Sequence, residues 1–174
     1  MARLLIVVDY QNDFINPQGL LYVKGSEKLQ NRIVRLIRDQ KKNKEDVVFL
    51  KDTHDLNYMK TEEGKHLPYP HTIKGTEGHE LYEKVKDLSR YFPIFEKDTF
   101  GSVELGHFLE TRSYDEIVIC GVMTNYCVIA NAIIAKTFNP NAHCIIYKKA
   151  VTSGNKKTDR NVLKLLSDMH FEVI

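Results

Sequence analysis

EIVICGVMTNYCVIANAII, residues 116 to 134, is the stretch whose reading decides the fold. It opens on a short apolar run, EIVIC, rich in β-branched side chains and stopped by Gly121, which predicts a strand covered on both faces. It closes on VIANAII, apolar throughout, which predicts a buried helix with Thr124 as its N-cap. A strand therefore passes into a helix through the turn GVMTNYC. Similar runs recur along the chain: LLIVV before Asp9, VVFL before Lys51, HCIIY before Lys148, a final FEVI, and a weaker FPIFE before Lys97. Between most of them the apolar residues fall at helical spacing, as in Leu29, Ile33, Leu36 and Ile37, or Val162, Leu165, Leu166 and Met169. Strand and helix in alternation imply parallel strands joined by helical crossovers. The expected fold is α/β, a three-layer α/β/α, doubly wound, mostly parallel six-stranded sheet.

Composition narrows the class. An apolar content of 43% in 174 residues is enough for one sizeable core, and no linker-like stretch divides it, so a single domain over 1–174 is expected. With 25 basic against 23 acidic side chains, the formal charge of +2 leaves no electrostatic footprint for a nucleic acid, and small molecules are the expected partners. The basic run QKKNKED, 40 to 46, reads as a solvated helix end. MARLLIVVDY carries an apolar run too short for a membrane span, cut off by Asp9 and followed by no small-residue cleavage site, so a cytoplasmic protein is expected. Cys120, Cys127 and Cys144 are odd in number and irregularly spaced, which suits free thiols in a reducing compartment.

Open parallel sheets bind ligands beyond the carboxyl ends of their strands. Asp9 follows the first run, Asp52 and His54 the second, Lys97 the weak run, and Cys127 sits in the turn after EIVIC. Taken singly, Asp9 reads as a turn residue, Lys97 as a surface lysine and Cys127 as core packing. Together on one rim they are a nucleophile, an electrostatic activator and a proton shuttle. A thiol in the first turn of a helix, beside a lysine, is expected to have a lowered pKa. Cys120 and Cys144 lie inside apolar runs and are read as inert core thiols.

The connection between the second run and the weak one, residues 52 to 92, is long and polar, and connections of that kind are commonly functional. Asp52 and His54 lie two apart in an extended segment and so face the same way, and His71 follows after a loop long enough to fold back. Two imidazoles and a carboxylate suit zinc, iron or manganese, with Glu63 and His66 as further donors; solvated loop histidines are the competing reading.

Five pieces of the chain resemble the isochorismatase-like cysteine hydrolases, and within them the nicotinamidases: VVDYQNDF (7–14), DTH (52–54), EGKHLPYPHTIKGTEG (63–78), FEKDTFGS (95–102) and GVMTNYCV (121–128). The resemblance implies a catalytic triad of Asp9, Lys97 and Cys127. It also implies a cis peptide between Val122 and Met123 and an oxyanion hole from the N–H groups of Met123 and Cys127. Asp52, His54 and His71 match the metal ligands, with Glu63 as an acidic fourth. One divalent ion is implied, zinc first, with iron or manganese as alternatives. Phe14, Phe100 and Val122 are expected to line the substrate pocket. Pro68 stands where an aromatic wall residue is frequent, with Tyr69 one step later, and Thr72 replaces a frequent cysteine. The implied activity is hydrolysis of nicotinamide to nicotinate and ammonia through a thioester on Cys127, by a homo-oligomer. The competing readings are a metal-independent relative acting on a ureido or carbamoyl amide and a non-catalytic flavodoxin-like module. Against the last, DYQNDF has no glycine to build a phosphate loop.

Overall fold

The computed structural model describes residues 1–174. Every predicted run becomes a strand: β1 (Arg3–Val8), β2 (Asp46–Asp52), β3 (Ile94–Lys97), β4 (Glu116–Val122), β5 (His143–Thr152) and β6 (Glu172–Val173). They form one sheet in the order β3-β2-β1-β4-β5-β6. All neighbouring pairs are parallel, so the sheet is wholly rather than mostly parallel. Seven α-helices accompany it: α1 (Asn12–Ile15), α2 (Gln30–Asn43), α3 (Glu62–His66), α4 (Glu83–Ser89), α5 (Val103–Glu110), α6 (Ile129–Phe138) and α7 (Lys156–Asp168).

The alternation of side chains along each strand sorts the core into two layers. Leu4, Ile6 and Val8 of β1 pack with Leu105 and Leu109 of α5, Ala132 and Ala135 of α6, and Leu166 of α7. Leu5 and Val7 of the same strand pack on the opposite face with Ile33, Val34 and Ile37 of α2 and Val85 of α4. Each such aliphatic side chain, fully withdrawn from water, contributes about 1.5–3 kcal/mol. This two-sided burial is why the strands read as unbroken apolar runs. The basic run after Gln40 is the exposed end of α2, where Lys44 takes a left-handed C-cap at φ 59° and lysines face the negative end of the helix dipole.

Two strands outrun their apolar signals. β4 continues through Gly121 and Val122, and β5 through Thr152, because main-chain pairing of Gly121 with Val151 and Val122 with Thr152 resumes after a register shift. Gly121 sits at φ 118°, and a Cβ there would collide with the Val8 carbonyl oxygen, so glycine is what lets β4 approach β1 at its carboxyl end.

β1 lies between β2 and β4, so the chain winds outward through β2 and β3 and then crosses back to β4. The crevice beyond the carboxyl ends of β1 and β4 is therefore the expected ligand site. The long connection folds over it: His54 forms a parallel bridge with Ile73, and Lys74 N–H donates to the His54 carbonyl at 2.9 Å. No helix is long and apolar enough to cross a membrane.

Candidate active site

Four strands deliver one polar group each to this crevice. Asp9 follows β1, Asp52 ends β2, Lys97 ends β3, and Cys127 sits in the turn after β4. Lys97 Nζ lies 2.8 Å from Asp9 Oδ2, 3.1 Å from Asp52 Oδ1 and 3.4 Å from Cys127 Sγ. Two of these contacts, to Asp52 and Cys127, are hydrogen bonds, and the contact with Asp9 is an ion pair. Asp9 is buried at φ 46°, an uncommon backbone for a non-glycine residue, and its Oδ1 has no hydrogen-bond partner. Strain and an unpaired oxygen at one residue make Asp9 a candidate for chemistry rather than for stability.

Burial pushes the Asp9 carboxyl up to about 6, with Lys97 pulling against it. For Lys97 burial opposes the charge, but Asp9, the thiol of Cys127 and Asp52 outweigh it and hold the ammonium above its ordinary range. Burial and then the Asp9 charge drive the Cys127 thiol well above its usual value, and Lys97 only partly compensates. This corrects the expected lowered pKa. The resting group is a neutral thiol beside a carboxylate near neutral pH, and proton transfer between them is the step the arrangement permits. Cys120 and Cys144 are raised as well, burial being the leading cause, in keeping with inert core thiols.

The turn carrying Cys127 also departs from expectation. Residues Thr124–Val128 form a π-turn, in which Val128 N–H reaches back to the Met123 carbonyl at 3.1 Å, before α6 begins at Ile129. Thr124 does not cap it; its hydroxyl is buried without a partner and Met123 holds the cap position. The wider turn lets Tyr126 and Val128 N–H share the Met123 carbonyl, and Met123 N–H donates to no main-chain carbonyl. The Val122–Met123 peptide is cis.

Beside this cluster Asp52 turns its other oxygen to two imidazoles: Oδ2 is 3.1 Å from His54 Nε2 and 3.2 Å from His71 Nε2. All three residues are buried. Glu63 Oε1 lies 3.8 Å from both ring nitrogens, close enough to serve as a further donor. His71 Nδ1 contacts the Tyr69 carbonyl at 2.8 Å, so its Nε2 is the nitrogen left for a ligand. His54 Nε2 is buried with no hydrogen-bond partner. A converging carboxylate and two imidazoles, one of them orphaned, fit a divalent cation of the zinc, iron or manganese type. His66 does not join them; its side chain is 79% exposed and turns to Glu62.

Both groups open into one cavity of about 850 Å³. Asp9, Asp52, His71, Met123 and Cys127 reach its wall, while Lys97 lies behind them. Phe14, Phe100 and Val122 line it, with Leu21, Leu67 and Tyr126 adding apolar surface. Phe14 stands edge-on to His71 at 5.6 Å between ring centroids, and Phe100 stacks on Tyr126 at 5.3 Å. Tyr69 is half exposed and does not line the cavity; Leu67 stands on that wall instead.

Several residues that hold the site were missed from sequence. Gln11 Nε2 donates to the carbonyls of Asp52 and His79 at 2.8 and 2.9 Å, and its Oε1 accepts from Asp52 N–H at 2.8 Å. Tyr58 packs against both imidazoles, at 4.6 Å from His54 and 5.1 Å from His71. Asn131 Nδ2 donates to the Phe100 and Cys127 carbonyls at 2.9 and 2.8 Å, tying a pocket wall to the thiol's turn. Thr72, which the sequence shows only as standing where a cysteine is frequent, donates its hydroxyl to Asp52 Oδ2 at 2.8 Å. The one available signal was polarity inside otherwise apolar segments, as for Asn131 within VIANAII.

The geometry has counterparts. The Bacillus subtilis uncharacterized isochorismatase family protein PncA is 31% identical, with 90% of each chain covered. The crystal structure of nicotinamidase/pyrazinamidase PncA from Bacillus subtilis superposes with a TM-score of 0.90 at 28% identity, over 99% of both chains. That of the pyrazinamidase of Pyrococcus horikoshii in complex with zinc superposes with a TM-score of 0.86 at 27% identity, over 100% of this chain and 99% of the other. The isochorismatase domain model matches residues 3–174, and with it the chain belongs to the isochorismatase family.

Proposed function

We propose that the chain is, over its whole length, a single-domain metal-dependent amidohydrolase that converts nicotinamide and water to nicotinate and ammonia. The observation that carries this reading is Lys97: one buried ammonium touches the thiol, the carboxylate base and the metal-site carboxylate, so nucleophile, proton shuttle and donor set share one cavity. Similarity to proteins named nicotinamidase and pyrazinamidase, one of them in complex with zinc, supports the same substrate class and a divalent ion.

In this reading Cys127 attacks the amide carbonyl as Asp9 accepts the thiol proton. The negative charge that develops on the carbonyl oxygen is met by the N–H groups of Met123 and Cys127, and each such donor is worth about 3–4 kcal/mol in the transition state. Asp9 then passes its proton to the departing nitrogen, ammonia leaves, and the acyl group stays on sulfur as a thioester. Water, deprotonated by Asp9, opens the thioester; nicotinate departs and the thiol regains its proton. Throughout, Lys97 keeps a positive charge beside whichever of Asp9 and Cys127 is ionised. Asp52, His54 and His71, with Glu63 alongside, would hold the metal, which when bound supplies a Lewis-acid contact for the pyridine nitrogen. Phe14, Phe100 and Val122 supply apolar walls for the ring.

Three free cysteines support a reducing compartment such as the cytoplasm, and a homo-oligomer belongs to the same reading, for light scattering to test. The function is tested by a screen for ammonia release over nicotinamide and ureido or carbamoyl amides, with metal content measured on the same sample. Release from nicotinamide by metal-loaded protein is expected. Turnover only of ureido or carbamoyl amides by metal-free protein would replace this reading with a metal-independent one.

A further inference from the structure

We infer that Thr72 is a positioning residue for the metal centre, its hydroxyl locking Asp52 as a ligand that offers a single oxygen. The inference rests on reading Asp52, His54 and His71 as metal ligands, and it concerns what holds those ligands still.

Thr72 engages all of them. It is the peptide neighbour of His71, its carbonyl accepts the His54 N–H at 3.2 Å, and its hydroxyl donates to Asp52 Oδ2 at 2.8 Å. Its own N–H donates to Asp13 Oδ2 at 2.7 Å, and Asp13 is in turn packed against Gly78, where a Cβ would collide with the carboxylate. The oxygen that accepts the hydroxyl is the one facing both imidazoles, at 3.1 and 3.2 Å. The other oxygen is already taken by Lys97 at 3.1 Å. Asp52 therefore cannot turn to present both oxygens to a cation without breaking one of these bonds. On Oδ2 the hydroxyl occupies one lone-pair direction and leaves the other for the ion.

The backbone supplies a second, independent observation. Thr72 is fully buried at φ 45°, where a β-branched residue is strained and glycine or asparagine would fit at lower cost. A strained threonine whose hydroxyl bonds a ligand oxygen points to that hydroxyl as the reason for the residue. Outer-shell donors of this kind orient a ligand and sharpen the choice of ion. A carboxylate restricted to one oxygen suits a small ion of low coordination number better than calcium, which gathers many oxygens and often takes carboxylates through both.

The test is the Zn²⁺ dissociation constant, measured by competition with a chromophoric chelator on purified wild type, Thr72→Val and Thr72→Ser, with the melting temperature of each metal-free protein. Valine keeps the branched shape and removes the hydroxyl; serine keeps the hydroxyl. Weakening on the order of 10–100-fold is expected in Thr72→Val, with recovery of most of it in Thr72→Ser and a smaller preference for Zn²⁺ over Ca²⁺ in the valine variant. Should Thr72→Val not fold, Thr72→Ala carries the same comparison. Valine or alanine variants that bind Zn²⁺ as tightly as wild type would overturn the inference. A wild type that binds no Zn²⁺, or binds it equally well as His54→Ala, would instead overturn the metal reading beneath it.

Discussion

Cys120 and Cys127 belong to the same strand and the turn that follows it, yet they have different chemistry. Cys120 is fully buried in β4, and burial is the sole cause raising its thiol. Cys127 is raised by burial too, but a carboxylate and an ammonium flank it. The contrast teaches that apolar surroundings silence a thiol, and that paired charges brought to its side make it conditionally reactive. In the proposed mechanism Asp9 takes the proton, and Lys97 stabilises the anion left behind. On that proposal the thiol stays quiet until a substrate carbonyl offers the charge somewhere to go.

The sharpest way to break this contrast is to remove each sulfur in turn. Cys127→Ala should lower kcat/KM for nicotinamide by about 10⁴-fold or more, as loss of a covalent nucleophile does. Cys120→Ala should leave kcat/KM unchanged and lower stability by about 1 kcal/mol through a small cavity, read from denaturant unfolding. Equal losses of activity in both would erase the distinction.

Next in size are the charges. Asp9→Asn should cost roughly 10²–10⁴-fold in kcat with little change in KM, because it removes the proton shuttle and keeps the shape. Lys97→Met should lose activity to a similar degree and also stability, about 3–5 kcal/mol, because it leaves Asp9 and Asp52 buried without their counter-charge. Thermal melting separates the two variants.

Removal of metal by a chelator, or His71→Ala, is expected to raise KM for nicotinamide by about 10–100-fold, with the larger share of the effect on KM rather than kcat, since in the proposed function the metal held by those residues would orient the ring and would not touch the sulfur. Steady-state kinetics before and after re-addition of Zn²⁺ checks this.

The smallest effect is in pH. With Asp9 at about 6, kcat/KM should fall about tenfold per unit on the acid side of that value, as the base becomes protonated. Unfolding is not the cause on this group's account. Its folded pKa lies above the unfolded value of about 3.9, so its contribution to stability is fullest at low pH and is lost as pH rises through about 6. A pH–rate profile beside a pH–melting profile distinguishes loss of the base from loss of the fold.

The strands, their parallel pairing and the residues at their carboxyl ends were legible in the sequence because a doubly covered sheet writes itself as unbroken apolar runs. The position just beyond such a run is where chemistry collects. Asp9, Asp52, Lys97 and Cys127 were therefore all found as candidates. The supports were not legible, because their roles depend on distant main chain. Gln11 reaches the carbonyls of Asp52 and His79, and Thr72 bonds Asp52 and Asp13, neither of them near in sequence. The π-turn at Thr124–Val128 was read as an ordinary helix start, since an apolar helix that opens one residue wide has the same composition. The thiol's pKa was misjudged in direction because helix and lysine are visible in sequence, whereas the depth of burial and the nearness of Asp9 are not.

In the proposed function nicotinamide is cleaved through an acyl group carried on Cys127. Acid quenching of metal-loaded enzyme during turnover of ring-labelled nicotinamide, followed by peptide mapping, tests it most directly. Label is expected on the peptide containing Cys127, with none on those containing Cys120 or Cys144. Label on another residue, or undiminished ammonia release by Cys127→Ala, would contradict it.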